Sequence, residues 1–322
     1  MSSVFDCIVV GSGHAGSCAA LSAVQSGCKR VLIVEKAPKE WAGGNGYFTA
    51  GAHRTVHDGL NDLLPIVGNV TKELASSIEI DPYKAEDFIG DIMRLSDNKS
   101  DEALVKEVVH NSRQTIQWLA DDVGVHFTLS FNRQAYYVNG KYRFWGGLAL
   151  GVEDGGKGLI GTEHKALEDA GIEIWYGASA NQLLTDAGSG AITGLRIVKE
   201  GKETALKSHA VILACGGFEA SSLMRSTYLG EEWLRARVCF VSELELIAYI
   251  IKTQTRSVEP PLIPVTVLQL PKVLVLSYLE TGAAAVVTAR AGTQMRTLIL
   301  EIVFSATSTQ SPDIHSDLCL IA

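Results

Sequence analysis

The residues of this sequence with the clearest capacity for chemistry are three glycines near its start. Gly11, Gly13 and Gly16 follow the G-x-G-x-x-G spacing, directly after an apolar run from Phe5 to Val10. In that spacing the first glycine makes a tight turn, the second admits a pyrophosphate against the backbone, and the third lets a helix pack on a strand. The spacing therefore predicts a loop that binds the diphosphate of a dinucleotide.

Two strands and a helix must position this loop. The run Phe5–Val10 suits a parallel strand that is buried on both faces, and the small residues from Ala15 to Gln25 predict a helix lying close to the sheet. The N-terminal N–H groups of that helix would face the phosphates. Ser12, His14 and Ala15 complete the loop, and the side chain of His14, at a variable position, is expected to face solvent near the phosphates.

An acidic residue after the second strand completes the pattern. The strand is predicted from Arg30 to Val34, and Glu35 follows it, with Lys36 next. A carboxylate at this distance from the glycines accepts the hydroxyls of a ribose and would repel the extra phosphate of NADP. The pattern therefore predicts NAD or FAD as the ligand and does not choose between them.

Composition and charge narrow the class of protein. The 322 residues are enough for one large or two ordinary domains, and 47% apolar with 20% charged residues suits a globular core. The net charge of −8 gives no electrostatic basis for binding nucleic acid or an anionic membrane. No apolar stretch reaches the roughly 18 residues of a membrane span, and no signal peptide precedes the first strand. These features predict a cytoplasmic protein.

The elements further along favour a flavoprotein. Residues 35–53 read as a glycine-rich loop, residues 146–171 as a glycine loop that leads into another helix, Asp101–Leu119 as an amphipathic helix, and Ile172–Tyr176 as a parallel strand. Residues 180–213 read as three strands joined by glycine turns. A three-stranded meander of this kind between βαβ units is more typical of flavoproteins than of simple NAD dehydrogenases.

Three stretches together resemble the flavin-binding half of one superfamily: VVGSGHAGSCAA, AGGNGYFTAGAHR and VILACGGFEA. This is the FAD-dependent oxidoreductase 2 superfamily of fumarate reductase and succinate dehydrogenase flavoproteins. Within it, WGGLALGVEDGGKGL is similar to tricarballylate dehydrogenase-like proteins. The resemblance covers about residues 4–235 and implies an α/β, Rossmann-like FAD-binding fold with a parallel sheet and a β-meander.

The resemblance also assigns residues to FAD. It implies that the glycine loop binds the pyrophosphate and that the adenosine ribose lies at Glu35 and Lys36. The flavin ring would lie at Gly43, Gly44 and Asn45, and the adenine at the backbone of Ala180. A later segment would return to the nucleotide at Ala214, Gly216 and Gly217. A flat isoalloxazine needs backbone free of side chains, which a glycine pair provides. Relatives with covalent flavin have a histidine at the place of Asn45, so the FAD is expected to be non-covalent.

The implied activity is hydride transfer that forms or reduces a C=C bond next to a carboxylate or carbonyl of a small organic substrate, with an unidentified electron donor or acceptor. Two alternatives stay open: a non-catalytic flavin-binding remnant and, less favoured, an NAD-dependent Rossmann dehydrogenase. Arg54 and His57, just beyond the flavin loop, are candidates for holding a substrate carboxylate, and the catalytic residues are otherwise unassigned.

The sequence gives little support for a metal. His53 and His57 stand four residues apart and could share a helix face, but no third ligand has supporting spacing. The six cysteines form no C-x-x-C pair. We therefore expect no metal.

The composition changes after residue 235. Only Gly282 and Gly292 of the 31 glycines lie beyond it, and the T-G-D-G turn, capping domain and final glycine-rich helix of the resembled family have no counterpart there. We expect an FAD-binding domain over residues 1–235, and over 236–322 an atypical tail in place of the capping domain and the C-terminal segments. The last four residues, from Cys319, fit the prenylation pattern C-a-a-X, but no polybasic segment precedes them.

Overall fold

The computed structural model describes residues 4–218, 221–235, 274–279 and 283–286. Its strands are β1 (Phe5–Val10), β2 (Val31–Val34), β3 (Ile78–Ile80), β4 (Phe127–Leu129), β5 (Ala135–Val138), β6 (Lys141–Phe144), β7 (Leu150–Val152), β8 (Glu173–Trp175), β9 (Ala178–Thr185), β10 (Ile192–Lys199), β11 (Lys202–Leu213), β12 (Leu274–Leu279) and β13 (Ala283–Val286). Its α-helices are α1 (His14–Gln25), α2 (Gly44–Phe48), α3 (Leu60–Leu63), α4 (Lys72–Ala75), α5 (Ala85–Leu95), α6 (Glu102–Trp118), α7 (Phe131–Gln134), α8 (Gly155–Asp169) and α9 (Ser222–Leu229).

A largely parallel sheet forms the centre of the fold, in the strand order β13-β12-β11-β1-β2-β8. β1 lies parallel to both of its neighbours, with Ile8 opposite Val211 of β11 on one side and Leu32 of β2 on the other. Residues 7–10 of β1 are all buried, as an apolar strand covered on both faces requires. The predicted strands β1 and β8 and the predicted parallel sheet are confirmed.

An antiparallel meander branches from one strand of this sheet. β9 pairs with β10 and β10 with β11, all antiparallel. β11 is 12 residues long; its first half pairs with β10 and its second half with β1. The turn between β10 and β11 is Glu200-Gly201, and both residues have positive φ, as a two-residue hairpin turn requires. The predicted meander is confirmed.

Helix α6 follows the predicted amphipathic pattern. Its N-cap residue Asp101 accepts a hydrogen bond from the Leu104 N–H (2.8 Å). Val105 and Val109 on its apolar face pack with Phe88 of α5 in a separate buried cluster. Two small sheets, β3-β6-β5 and β4-β7, lie outside the central sheet.

Both predicted glycine loops contain regular structure. Residues 44–48 form helix α2, and residues 150–152 within the second segment form strand β7. The reason is close packing: a Cβ on Gly43 would lie 2.7 Å from Ile160 of α8, and one on Gly46 would lie 3.0 Å from the same side chain. Some glycines that read as loop signals instead make room for a helix.

Most of residues 236–322 lies outside the described residues, together with the predicted atypical tail and with the C-a-a-X pattern at Cys319. The two described segments there extend the central sheet: β12 runs parallel to β11, with Leu274 opposite Ile212, and β13 runs antiparallel to β12. In the described part of the chain, no helix combines the length and the apolar character that crossing a membrane requires.

Candidate dinucleotide site

The glycine loop joins the end of β1 to the start of α1 and packs without space for side chains. A Cβ on Gly16 would lie 1.9 Å from the Gly11 carbonyl oxygen, and a Cβ on Gly11 would lie 2.3 Å from the Ala214 carbonyl oxygen. The Gly11 N–H donates to the Val34 carbonyl oxygen (2.8 Å), which ties the loop to the end of β2. The fold itself therefore requires glycine at positions 11 and 16.

The start of α1 fits the pyrophosphate of FAD. Gly13 is the N-cap, no side chain caps the helix, and no acidic residue stands in its first turn. The first N–H groups of a helix have no acceptor within it, and the helix dipole favours an anion at this end. A Cβ on Gly13 would lie 3.3 Å from the Gly43 carbonyl oxygen, a tight contact but not a clash. The packing of the fold therefore requires glycine less strictly at position 13 than at positions 11 and 16.

Glu35 supports the glycine loop from the end of β2. Its Oε2 accepts hydrogen bonds from the Ser12 N–H (2.8 Å) and the Ser12 hydroxyl (2.7 Å), and its Oε1 accepts one from the Ala37 N–H (2.7 Å). An ionised carboxylate has about four acceptor positions. Glu35 can therefore hold the loop and still accept a ribose hydroxyl, while Lys36 beside it is exposed.

A second loop contacts the glycine loop. Gly43 and Gly44 adopt φ values of 109° and 55° at the start of α2, a region that favours glycine. The carbonyl of Gly43 faces Gly13, so the loop predicted to hold the pyrophosphate and the loop predicted to approach the flavin ring are neighbours. Asn45 lies half-buried in α2.

The end of β11 closes another side of the site. The Ala214 N–H donates to the Val10 carbonyl oxygen (2.8 Å), which places the returning segment at the end of β1. Gly216 and Gly217 are exposed, and a Cβ on Gly216 would meet no atom of the described residues within 4 Å. The returning segment therefore leaves open space beside the glycine loop.

The start of β9 lies at the end of β2. The Ala178 N–H donates to the Glu35 carbonyl oxygen (2.9 Å), and Ala180, two residues further, is buried. The residues predicted for the pyrophosphate, ribose and adenine thus come from segments that meet at the carboxyl ends of β1 and β2.

The burial of His14 differs from the prediction made from the sequence. His14 was expected to face solvent, but it is only 2% exposed, and its Nδ1 contacts Oε1 of Glu163, which is fully buried on α8. The reason is that α8 packs across the start of α1, where the His164 Nε2–H also donates to the Ser12 carbonyl oxygen (2.9 Å). Glu163 and His164 were not predicted, because no local spacing links them to a loop about 150 residues earlier.

Arg54 has protein partners. Its Nη1 donates to the Tyr83 hydroxyl (2.7 Å) and to Oδ2 of Asp91 (2.8 Å). Its guanidinium carbon lies 5.5 Å from the ring centroid of Tyr83 and 5.7 Å from that of Phe88. Asp91 therefore balances the charge of Arg54, which favours a structural role over the predicted contact with a substrate carboxylate.

His57 is a buried, neutral hydrogen-bond donor. Its Nδ1 accepts from the Gly59 N–H (3.2 Å), so the proton of the neutral ring lies on Nε2. Nε2 is buried and has no hydrogen-bond partner among the described residues. Burial lowers the pKa of His57, and the opposing effect of Asp62 is weaker. His57 and His53 do not share a helix face, because each lies in a separate β-bridge.

The depressed pKa of His57 predicts a dependence of stability on pH. Below the ordinary histidine pKa of 6.5, His57 binds a proton in the unfolded chain more readily than in the folded protein, where it is buried. The free energy of unfolding therefore falls as the pH decreases. His57→Asn keeps an acceptor for the Gly59 N–H and removes the titrating group. We expect a smaller loss of thermal stability between about pH 7.5 and about pH 5.5 in this variant. His110→Asn, at an exposed position on α6, is the control; if both variants lose as much stability as the parent, the assignment is wrong.

Two protein-family models match the sequence. The model described as FAD binding domain matches residues 76–245, and the model described as FAD dependent oxidoreductase matches residues 6–135. The NADH:fumarate oxidoreductase of Klebsiella pneumoniae (strain 342) is 28% identical over 225 residues, which are 70% of this chain and 22% of that protein. The urocanate reductase of Eggerthella lenta is 30% identical over 231 residues, which are 69% of this chain and 33% of that protein.

A solved structure is similar over the same part of the chain. The open conformation of a flavocytochrome c3 fumarate reductase matches with a TM-score of 0.54 and 25% identity, over 70% of this chain and 36% of that one. The chain spans about a fifth to a third of the length of the curated relatives it matches.

Proposed function

The chain belongs to the FAD binding domain family, and from that premise we propose that it acts as an FAD-dependent oxidoreductase that forms or reduces a C=C bond next to a carboxylate or carbonyl. The named relatives support this, since fumarate and urocanate are both unsaturated carboxylic acids. The contact between the glycine loop and the Gly43–Gly44 loop carries the proposal. This contact places a site for a diphosphate beside a backbone surface that carries no side chains. FAD needs both, because its flat isoalloxazine ring is linked to its diphosphate. The NAD alternative does not explain that second surface.

The residues of the chain would bind and orient the reactants, and bound FAD would supply the hydride transfer. The N–H groups in the first turn of α1 bind the pyrophosphate, and Glu35 accepts from the ribose. Gly43 and Gly44 leave room for the flat ring, and the Asn45 amide can donate or accept at its edge.

His57 is the residue we propose for holding the substrate. Its Nε2–H is a buried donor without an acceptor among the described residues, and leaving such a group unsatisfied costs about 1–3 kcal/mol. A substrate carboxylate or carbonyl oxygen would satisfy it. Arg54 is not retained for this role, because Asp91 already pairs with its guanidinium.

We predict that FAD leaves the protein on denaturation. Asn45 stands where the resembled covalent flavoproteins have the linking histidine, and an amide side chain cannot make that bond. After acid precipitation and centrifugation, the yellow colour should be in the supernatant and the pellet colourless. Free FAD mixed with the pre-denatured protein serves as a control for trapping. Flavin that stays with the pellet and survives digestion on a peptide would contradict the prediction.

Turnover tests the proposed activity. FAD-loaded protein is reduced without oxygen and mixed with fumarate, urocanate or a saturated analogue, and the return of the flavin absorption is followed. We expect reoxidation by unsaturated acids only. His57→Asn should slow it at unchanged FAD content, whereas His110→Asn should not. If no unsaturated acid reoxidises the flavin, the non-catalytic alternative is favoured.

A further inference from the structure

Three side chains of different chemistry meet beneath the glycine loop. His14 and Cys18 are four residues apart in α1 and therefore share one face of the helix. Glu163 reaches the same point from α8. Their exposed fractions are 2%, 9% and 0%, so the group is largely buried, with Cys18 nearest to solvent.

The donor atoms of this cluster converge. The Sγ atom of Cys18 lies 3.8 Å from Nδ1 of His14 and 3.9 Å from Oε1 of Glu163, and the latter two atoms are in direct contact. Metal–sulfur bonds of about 2.3 Å and metal–nitrogen or metal–oxygen bonds of about 2.0–2.1 Å place tetrahedral ligand atoms roughly 3.3–3.6 Å apart. The two distances to sulfur are close to that range. A rotation of the Glu163 carboxyl group would lengthen the third distance, between Nδ1 of His14 and Oε1 of Glu163.

We propose that His14, Cys18 and Glu163 form a binding site for a divalent transition-metal ion, with Zn²⁺ as the ion that the donors favour. A thiolate with an imidazole selects borderline-soft ions, whereas Mg²⁺ and Ca²⁺ prefer oxygen ligands. A divalent ion would offset the negative charges of the Glu163 carboxylate and of the Cys18 thiolate. On binding, the Cys18 thiol loses its proton to solvent, so affinity should rise with pH.

The site would join two elements of the dinucleotide site. α1 carries His14 and Cys18 and begins at the glycine loop, and α8 carries Glu163. His164, the next residue of α8, already holds the Ser12 carbonyl. A metal ion bound here would cross-link the helix that faces the pyrophosphate to the helix packed across it. Its effect is on stability and FAD retention and does not depend on the proposed redox reaction.

The test uses the FAD-loaded protein after treatment with a chelator. Titration with Zn²⁺ should bind about one ion per chain and raise the melting temperature. Cys18→Ser and Glu163→Gln should each weaken Zn²⁺ binding by roughly 100-fold or more. Cys28→Ser is the matched control, because Cys28 is a half-buried cysteine outside the cluster. X-ray absorption of the Zn²⁺-loaded protein should show a sulfur neighbour at about 2.3 Å that is absent in Cys18→Ser.

Two results would overturn the proposal. The first is no Zn²⁺ binding by the parent protein, which would mean that His14 and Glu163 form only a buried ion pair. The second is Zn²⁺ binding that Cys18→Ser leaves as tight as Cys28→Ser does. If Glu163→Gln does not fold, the Cys18→Ser comparison alone decides, since serine for a cysteine this close to the helix surface is a small change.

Discussion

Gly16→Ala should yield no stably folded, FAD-loaded protein. The added Cβ would lie 1.9 Å from the Gly11 carbonyl oxygen and 2.9 Å from its carbon, and the loop cannot move away because the Gly11 N–H is bonded to Val34. Overpacking in a core typically costs about 1–3 kcal/mol, and a clash of backbone with backbone should exceed that. With a total stability of about 5–15 kcal/mol, much of the margin is lost. Thermal unfolding and the flavin absorption of purified protein measure the effect.

Gly161→Ala is the matched control for this prediction. Gly161 lies exposed within α8, and in the described part of the chain no atom lies within 4 Å of a Cβ placed there. Alanine in the interior of a helix is more stable than glycine by roughly 0.5–1 kcal/mol, so this variant should melt slightly higher than the parent. If the Gly16→Ala protein has the melting temperature and the FAD content of the parent, the loop is not packed as described.

Glu35→Gln should weaken FAD binding by roughly 10- to 100-fold while the protein stays folded. The carboxylate accepts from the Ser12 N–H and hydroxyl on one oxygen and from the Ala37 N–H on the other. Glutamine has one oxygen, so its NH₂ group must face one of these donors. Losing a hydrogen-bond acceptor of this kind costs about 1–3 kcal/mol. The cost falls on the glycine loop, which is the proposed site of the pyrophosphate. Quenching of FAD fluorescence by the apoprotein gives the dissociation constant.

Glu168→Gln tests whether charge alone explains the loss. Glu168 is exposed on α8, and its substitution changes the net charge by the same amount at a distance from the loop. We expect FAD affinity equal to that of the parent. Equal weakening in both variants would point to long-range electrostatics, and no weakening in Glu35→Gln would remove Glu35 from the site.

The central strands and the meander could be predicted because their signals are local. Residues 5–10 and 31–34 are short, nearly continuous apolar runs, the first of which leads directly into Gly11, and the Glu200-Gly201 turn marks a hairpin. Helix α6 carries both an N-cap in Asp101 and a 3.6-residue apolar period. In these segments the identity of neighbouring residues alone restricts the backbone, so one sequence is enough.

The partners of the site could not be predicted in the same way. His14 follows small residues that carry no sign of burial, and its contact with Glu163 exists only because α8 packs on α1. Arg54 likewise has no local feature that identifies Asp91, 37 residues later, as its partner. Both pairs depend on the packing of whole helices. The FAD residues stay predictions, and most of them were assigned through the resemblance to a known family, which supplied long-range information that local spacing lacks.

The pairing of β1 with β11 has a consequence for the order of synthesis. Cys7 pairs with Ala210, and the Ala214 N–H donates to the Val10 carbonyl oxygen, so one edge of β1 pairs with a strand that is made about 200 residues later. At about 5–20 residues per second, a ribosome needs roughly 10–40 s to span that separation. During this time the nascent chain holds an apolar strand with one edge unpaired, a risk for aggregation that chaperones limit. Because the glycine loop packs against Ala214, we expect it to reach its final conformation only after the ribosome has passed the codons for β11.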